Sequence, residues 1–162
     1  MEIKKKREFK PVFNEEMLGT NPFTDKLVVY VSRIEYKGQF KKDKDGYVLP
    51  VIGEIEYESL CKIYVNSEKR KKTNALSTRA KELLLWLLYE VKSNEDFIWI
   101  NRVRYMNENN ISSVNTYRAA VKDLIIHGFI TRSVVNAIYW INPSLFFSGN
   151  RIAKYPKNIK YK

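Results

Sequence analysis

Residues 111–130 have the sequence ISSVNTYRAAVKDLIIHGFI, which combines a turn, an amphipathic helix and the beginning of a strand. The spacing of apolar residues predicts a helix over residues 113–127, and Gly128 is a residue type that commonly follows a helix C-terminus. One face of this helix is apolar and must pack on the rest of the domain. That face consists of Tyr117, Val121, Leu124 and Ile125.

The opposite face of this helix is small, polar or basic. Asn bonds adenine and Arg bonds guanine in the major groove, whereas Ser and Thr bond phosphate oxygens. Every exposed helix face is polar, so the scarcity of acids is the stronger signal: residues 97–162 hold ten basic and two acidic side chains. We expect this helix to contact double-stranded DNA through Ser112, Ser113, Asn115, Thr116, Arg118, Ala119 and Lys122.

The segments on either side complete a winged helix-turn-helix pattern. Before the DNA-contacting helix, the periodicity predicts a helix from about Ser77 or Thr78 to Val91, a short strand over residues 97–100 and a helix over 102–109 capped by Asn101. After it, residues 129–134 and 137–141 predict a β-hairpin, which is the wing of such a fold. The further DNA-contacting residues expected here are Arg102 and Arg104 in the short helix, and Arg132, Ser133 and Asn136 in the wing.

The remainder of the chain predicts a small β-rich segment ahead of the winged helix, so the expected fold class is α+β. Residues 26–66 alternate apolar and polar side chains around an Asp-Gly turn, which predicts a three-stranded antiparallel meander. The expected organisation is an arm or irregular lead-in over 1–25, the meander over 26–66, a basic linker over 67–75, the winged helix over 76–150 and a basic tail over 151–162. We expect the tail to favour contacts with the DNA backbone.

Composition and net charge indicate the class of binding partner and the cellular compartment. The chain has 162 residues, of which 44% are hydrophobic, and a net charge of +11, so it has material for a core and favours a polyanionic partner. Nucleic acid is the first candidate and an anionic membrane surface the second. The longest apolar run, Leu83 to Leu88, is too short to span a bilayer, and no apolar run follows the basic N-terminus. We therefore expect a cytoplasmic protein.

The side chains needed for catalysis are scarce. His127 is the one histidine, so a two-histidine metal site is excluded, and the chain has no phosphate-binding loop of the GxxxxGK(S/T) type. Cys61 is the one cysteine, which excludes internal disulfides and multi-cysteine zinc sites. We expect no catalytic activity and no cofactor. His127 is predicted to cap the last carbonyls of the DNA-contacting helix.

A sharper resemblance lies in residues 137–151, AIYWINPSLFFSGNR. This segment resembles the end of the RepL-type plasmid replication proteins, in which the second wing strand leads into an Asn-Pro-x-Leu-x-x-x-Gly-Asp/Asn-Arg motif. The matching residues are Asn142, Pro143, Leu145, Gly149 and Arg151, and the resemblance covers about residues 75–152. It implies binding to origin or promoter DNA that controls replication of a plasmid or other mobile element.

Two other functions fit the same residues. A transcriptional regulator with this fold would bind an operator in the same way. An assembly module would instead use the winged helix to bind proteins, with the apolar first helix around Trp86 as a dimer surface. The expected partner is double-stranded DNA; a homodimer and host replication proteins are open alternatives.

Overall fold

The computed structural model describes residues 13–31, 44, 61–64 and 66–161. Within these ranges the chain forms five α-helices and seven short strands. The helices are α1 (Ser67–Ala75), α2 (Thr78–Glu90), α3 (Arg102–Glu108), α4 (Val114–Ile126) and α5 (Arg151–Lys154). The strands are β1 (Val29–Val31), β2 (Cys61–Ile63), β3 (Phe97–Trp99), β4 (Ile130–Arg132), β5 (Ile138–Ile141), β6 (Phe146–Ser148) and β7 (Ile159–Tyr161). Three 3-10 helices cover Glu15–Leu18, Thr24–Lys26 and Pro156–Asn158.

The three central helices begin and end within one residue of the predicted bounds. Each has a polar N-cap whose side chain accepts a hydrogen bond from a backbone N–H of the first turn: Ser77 for α2, Asn101 for α3 and Ser113 for α4. After α4 the backbone turns at Gly128 with φ of +73°, which a glycine adopts without strain. The buried sides of α2 and α4 pack against each other.

The strands next to these helices form one antiparallel sheet in the order β3-β5-β4. Ile98 pairs with Tyr139 and Ile130 with Ile141, so the β4–β5 hairpin is joined to β3, the strand that leads into α3. This combination of helices and a three-stranded sheet is an α+β, winged-helix-like fold, which confirms the expected fold class.

The N-terminal lead-in packs on the outer face of this sheet. Leu18 is buried against Ile138 and Trp140, and the Phe13 and Phe97 rings pack nearly perpendicular to each other with their centres 5.8 Å apart. Asn21 is 2% exposed, and its Nδ2 donates to the Ile141 carbonyl oxygen at 2.9 Å. The part of the predicted arm over residues 13–25 is therefore fixed to the domain, and residues 1–12 lie outside the described residues.

The two described strands of the predicted β-rich segment have distant partners. β1 pairs in parallel with β7, and β2 pairs antiparallel with β6. The sequence predicts a meander, in which each strand pairs with its neighbour. Alternation identifies a strand but carries no information on its partner, and this is why the distant pairing was not predicted. Residues 32–43 and 45–60, which contain most of that meander, lie outside the described residues.

Residues 67–75, expected to be a basic linker, form α1. The Asn66 side chain caps this helix by accepting from Lys69 N at 2.8 Å. None of the residues of α1 is buried. A helix without a buried face needs no apolar residues at helical spacing, so the sequence pattern did not predict this helix. Lys69 Nζ holds it to the domain by donating to the Ser144 carbonyl oxygen at 2.6 Å.

The C-terminal residues, expected to be a coil and a basic tail, form α5, a 3-10 helix and β7. Tyr155 is buried, and its hydroxyl donates to Asp96 Oδ2 at 3.1 Å. The Asn158 amide donates to the carbonyl oxygens of Thr24 and Leu27, both at 2.9 Å. These contacts join the C-terminal segment to the lead-in. None of the described helices has the length and hydropathy needed to cross a membrane.

Candidate nucleic-acid interface

An open cleft of about 700 Å³ lies between the beginning of α3, α4 and the wing. It gathers residues that the sequence had assigned to DNA contact from three separate elements. These are Arg102 from α3, Arg118 from α4, and Arg132, Ser133 and Asn136 from the wing. The fold therefore brings together side chains that are up to 34 positions apart in the chain (Arg102 to Asn136).

Backbone hydrogen bonds join the wing turn to the neighbouring strand beside this cleft. Ile100 N donates to the Ala137 carbonyl oxygen at 2.9 Å, which joins the end of β3 to the wing turn. Ala137 has φ of +63°, and the Ser133 hydroxyl accepts from Val135 N at 3.1 Å across the turn. Val134 is left at the tip, 80% exposed. The Ser133 hydroxyl thus stabilises the wing turn, whereas the side chains of Arg132 and Asn136 are exposed and accessible to a ligand.

The cleft is electropositive. Arg102, Arg118 and Arg132 are exposed, and in the described part of the chain no carboxylate lies within 4.0 Å of any of their guanidinium groups. Residues 97–162 contain two acids, Glu108 and Asp123, and both are bound to α2. Three arginines without acidic partners raise the positive potential of a concave surface and favour an anionic ligand.

Glu108 belongs to a cluster that fastens α3 to α2. It accepts a hydrogen bond from Trp86 Nε1 at 2.7 Å and another from Arg104 Nε at 2.8 Å. Both bonds hold the pKa of Glu108 below its ordinary value, that from Trp86 most. Arg104 also forms a bidentate pair with Glu90, at 2.8 Å for each bond.

Arg104 was expected to contact DNA and instead links the two helices. Its hydrogen bonds to Glu108 and Glu90 raise the pKa of the guanidinium above its ordinary value. The physical reason for its position is helical spacing: Arg102 and Arg104 are two residues apart, so about 200° of helix rotation separates them. Arg102 therefore faces the cleft while Arg104 faces α2.

Asp123 makes the corresponding link between α4 and α2. The Ser77 backbone N–H donates to Asp123 Oδ2 at 2.8 Å, and His127 Nδ1 lies 3.0 Å from Asp123 Oδ1. These contacts, with the Ser77 hydrogen bond first, hold the pKa of Asp123 below its ordinary value. His127 Nδ1 is also 3.0 Å from the Asp123 carbonyl oxygen, in the capping position that the sequence predicted.

Asp123→Asn is expected to lower the free energy of unfolding by about 1 kcal/mol at neutral pH, because a charged acceptor is lost from the Ser77 N–H. The pKa of Asp123 is depressed in the folded protein, so its contribution is complete above the unfolded pKa and disappears as pH falls through the folded pKa. Urea unfolding at neutral and acidic pH measures this difference. Glu68→Gln, which changes an exposed carboxylate on α1, is the control. If the difference in free energy of unfolding between the Asp123→Asn variant and the original protein grows as the pH is lowered, the stabilising role assigned to the Asp123 carboxylate is wrong.

The outward face of α4 extends this surface beyond the cleft. Asn115, Arg118, Ala119 and Lys122 are exposed along it, and Thr116 is half-buried. Ser112 is exposed in the turn before α4. Ser113 Oγ accepts from Thr116 N at 3.4 Å, so this side chain acts as the helix cap.

The floor of the cleft contains residues that the sequence had not assigned to the interface. Tyr117 is buried there, and burial raises the pKa of its phenol. Asn101 and Tyr139 also line the cleft. Asn101 had been identified only as a helix cap, and Tyr139 lies in β5, the second strand of the wing. Their positions relative to the strands were the available signal: Asn101 lies two residues after the end of β3, and Tyr139 is opposite Arg132 in the wing.

The residues that carried the family resemblance have structural roles. Asn142 Nδ2 donates to the Gly128 carbonyl oxygen at 2.7 Å, so it joins the end of α4 to the chain after β5. Arg151 donates to the Pro143 carbonyl oxygen at 2.9 Å and stacks 3.5 Å above the centre of the Tyr64 ring. Burial lowers the pKa of Arg151. We had favoured contacts between Arg151 and the DNA backbone, but its guanidinium is held within the protein.

Within the described ranges no three His, Cys, Asp or Glu side chains are close enough together to hold a metal ion. The charged side chains that line the cleft are those of Arg102, Arg118 and Arg132, and arginine is a residue type that binds phosphates and base edges.

Comparison with known proteins gives one match. The family model for RepL, described as Firmicute plasmid replication protein, matches residues 52–162. This range includes α1 to α5, the wing and the whole cleft. Searches of curated proteins and of solved structures find no match. Since the family model covers more than half of the chain, the protein belongs to the RepL family of plasmid replication proteins.

Proposed function

We propose that the protein binds double-stranded DNA at a specific sequence and thereby controls the initiation of plasmid replication. The observation that carries this proposal is the convergence of Arg102, Arg118 and Arg132 on one cleft beside the exposed face of α4. Membership of the RepL family supports the replication role. DNA is the polyanion that a replication protein has to locate.

In this proposal α4 enters the major groove, which is wide enough to admit an α-helix. Asn115 and Arg118 lie on its exposed face in the N-terminal half, where recognition helices contact base edges. Arg118 is assigned to a guanine because its guanidinium has no acidic partner among the described residues and projects from this face. The backbone N–H groups at the beginning of α4 favour a phosphate nearby.

Arg102 and Arg132 are assigned to phosphates on either side of the recognition helix. They line the cleft from different elements, one at the first turn of α3 and the other at the end of β4. A DNA strand that passes between α4 and the wing would meet both. The wing turn itself, residues 133–137, holds no Lys or Arg, so its contribution to affinity is modest and rests on Arg132 and Asn136.

Arg118→Ala tests the specific part of this proposal. Substitution is expected to cost about 1–3 kcal/mol on the preferred duplex and to relax the preference at one base pair. Fluorescence anisotropy against the preferred site and its single-base variants measures both effects. Arg118→Lys is the matched control, because it keeps the charge and loses the bidentate geometry. An equal loss on every duplex would instead make Arg118 a phosphate contact.

The replication role has a separate test. A plasmid that depends on this protein is expected to lose copy number when Arg118→Ala replaces the original gene, whereas Glu68→Gln leaves copy number unchanged. Normal copy number for a variant that no longer binds DNA would contradict the proposed link between binding and replication.

A further inference from the structure

A second open cavity, of about 480 Å³, lies between the N-terminal lead-in and the C-terminal segment. Residues 19–21 and Thr24 line it from the lead-in, residues 154–158 line it from the C-terminal segment, and Asp96 and Trp140 complete the wall. It shares no lining residue with the candidate nucleic-acid interface. A cavity of this size is in the range of sites that bind small molecules.

The two carboxylate oxygens of Asp96 have different surroundings in this cavity. Oδ2 accepts hydrogen bonds from Asn21 Nδ2 at 3.2 Å and from the Tyr155 hydroxyl at 3.1 Å. Oδ1 accepts no hydrogen bond from the described residues, and its ion-pair partner, Lys154 Nζ, is 4.0 Å away. That distance is too long for a hydrogen bond. Because Asp96 is only 9% exposed, its Oδ1 is an acceptor that a bound molecule can satisfy.

A hydroxyl group fits between Asp96 and Lys154. A hydroxyl both donates and accepts hydrogen bonds, whereas a carboxylate oxygen only accepts and an ammonium group only donates. Two hydrogen bonds of about 2.8 Å that meet at one hydroxyl oxygen can join an acceptor and a donor that are 4.0 Å apart. A sugar supplies hydroxyl groups of this kind.

The charged side chains of the cavity favour an anionic group beside this hydroxyl. Lys154 and Lys157 both line the cavity and both are exposed. Within the described residues, no carboxylate forms an ion pair with Lys157. Two lysines and one aspartate leave the cavity with a net positive charge, and lysine is a common ligand of phosphate groups.

We propose that this cavity, the Asp96 cavity, binds a phosphorylated sugar, either free or as part of a nucleotide. A sugar hydroxyl bridges Asp96 Oδ1 and Lys154 Nζ, and the phosphate contacts Lys157. The proposal goes beyond DNA binding, because the ligand is a small molecule and its site lies outside the candidate nucleic-acid interface. A ligand that binds only the folded protein also stabilises it against unfolding.

Isothermal titration calorimetry with ribose 5-phosphate, AMP, adenosine and inorganic phosphate tests the class of ligand. Ribose 5-phosphate is expected to bind at least about tenfold more tightly than inorganic phosphate, which lacks the sugar. AMP is expected to bind more tightly than adenosine by a similar factor, because adenosine lacks the phosphate. Tighter binding of AMP than of ribose 5-phosphate indicates a nucleotide, and equal or weaker binding indicates a free sugar phosphate. The proposal is overturned if neither phosphorylated sugar binds more tightly than inorganic phosphate.

Lys157→Ala tests whether this binding takes place in the Asp96 cavity. The variant is expected to bind the tighter of the two phosphorylated sugars at least about fivefold more weakly than the original protein. Lys160→Ala is the matched control, since it removes an exposed lysine of the same segment that does not line the cavity. Circular dichroism checks that both variants are folded. Equal affinities of the two variants overturn the proposal.

Arg118→Ala separates this proposal from the proposed DNA binding. It removes a cation of the candidate nucleic-acid interface and is expected to leave the affinity for the phosphorylated sugar unchanged. If Arg118→Ala weakens the binding and Lys157→Ala does not, the sugar phosphate binds at the DNA surface and the assignment to the Asp96 cavity is wrong.

Discussion

Replacing Arg102, Arg118 and Arg132 together by alanine is expected to lower the affinity for the preferred duplex by about a hundredfold or more. The reason is that the three guanidinium groups line one cleft and none has an acidic partner in the described part of the chain. No other lysine or arginine among the described residues lines the cleft, and Arg104 is held at the α2 side by its pair with Glu90. The positive charge that the three substitutions remove is therefore not replaced within the cleft.

The salt dependence separates this loss from a general change in charge. If Arg102 and Arg132 each neutralise a phosphate, the slope of log affinity against log salt is expected to decrease by about two units. Anisotropy titrations at several salt concentrations measure the slope. The control replaces Lys26, Lys71 and Lys81, three exposed lysines outside the cleft, by alanine. Equal losses in affinity for the two triple variants would show that the cleft has no special part in binding.

Gly149→Ala is expected to destabilise the fold by roughly 2–4 kcal/mol. Gly149 has φ of +96°, in the region that favours glycine, and a Cβ there would lie 2.5 Å from Asn94 Oδ1 and 2.8 Å from Ser93 Oγ. Asn94 Oδ1 accepts from Asn150 N at 2.9 Å, so moving it aside breaks the bond that joins the α2–β3 turn to the beginning of α5. Backbone strain and a lost hydrogen bond therefore add together.

Gly19→Ala is the matched control for this prediction. Gly19 also has a positive φ, +74°, but no atom lies within 4 Å of the position of its Cβ. Only the backbone cost of about 1–3 kcal/mol is expected there, because φ of +74° with ψ of −147° is a conformation that glycine alone adopts readily. Denaturant unfolding of both variants gives the comparison. If the Gly149→Ala variant is as stable as the Gly19→Ala variant, or more stable, the explanation given for Gly149 is wrong.

The helices and the wing followed from local signals in the sequence. The N-caps Ser77, Asn101 and Ser113 satisfy backbone groups within a few residues, and the apolar period of α2 and α4 reports on a single buried face. The family motif around Asn142 was recognised in the same way, from residue types at fixed spacing. Local patterns of this kind are sufficient to place α4 and the wing.

Long-range pairing and side-chain direction did not follow from the sequence. The pairing of β1 with β7 and of β2 with β6 joins strands that are far apart in the chain, and no local pattern encodes such a partner. Helix α1 is hydrophilic on every side, so it resembles a linker. Arg104 was grouped with Arg102 by composition, although a spacing of two residues already places them on different sides of α3.

The central claim is that the α4 surface and the arginine cleft bind a specific duplex. Selection from a randomised duplex library, followed by anisotropy of the selected and unselected duplexes over a range of salt, tests it most directly. The account predicts enrichment of one sequence, with a steep salt dependence for every duplex and tighter binding of the selected one. Failure to bind any duplex at moderate salt, or binding without enrichment of any sequence, would contradict it.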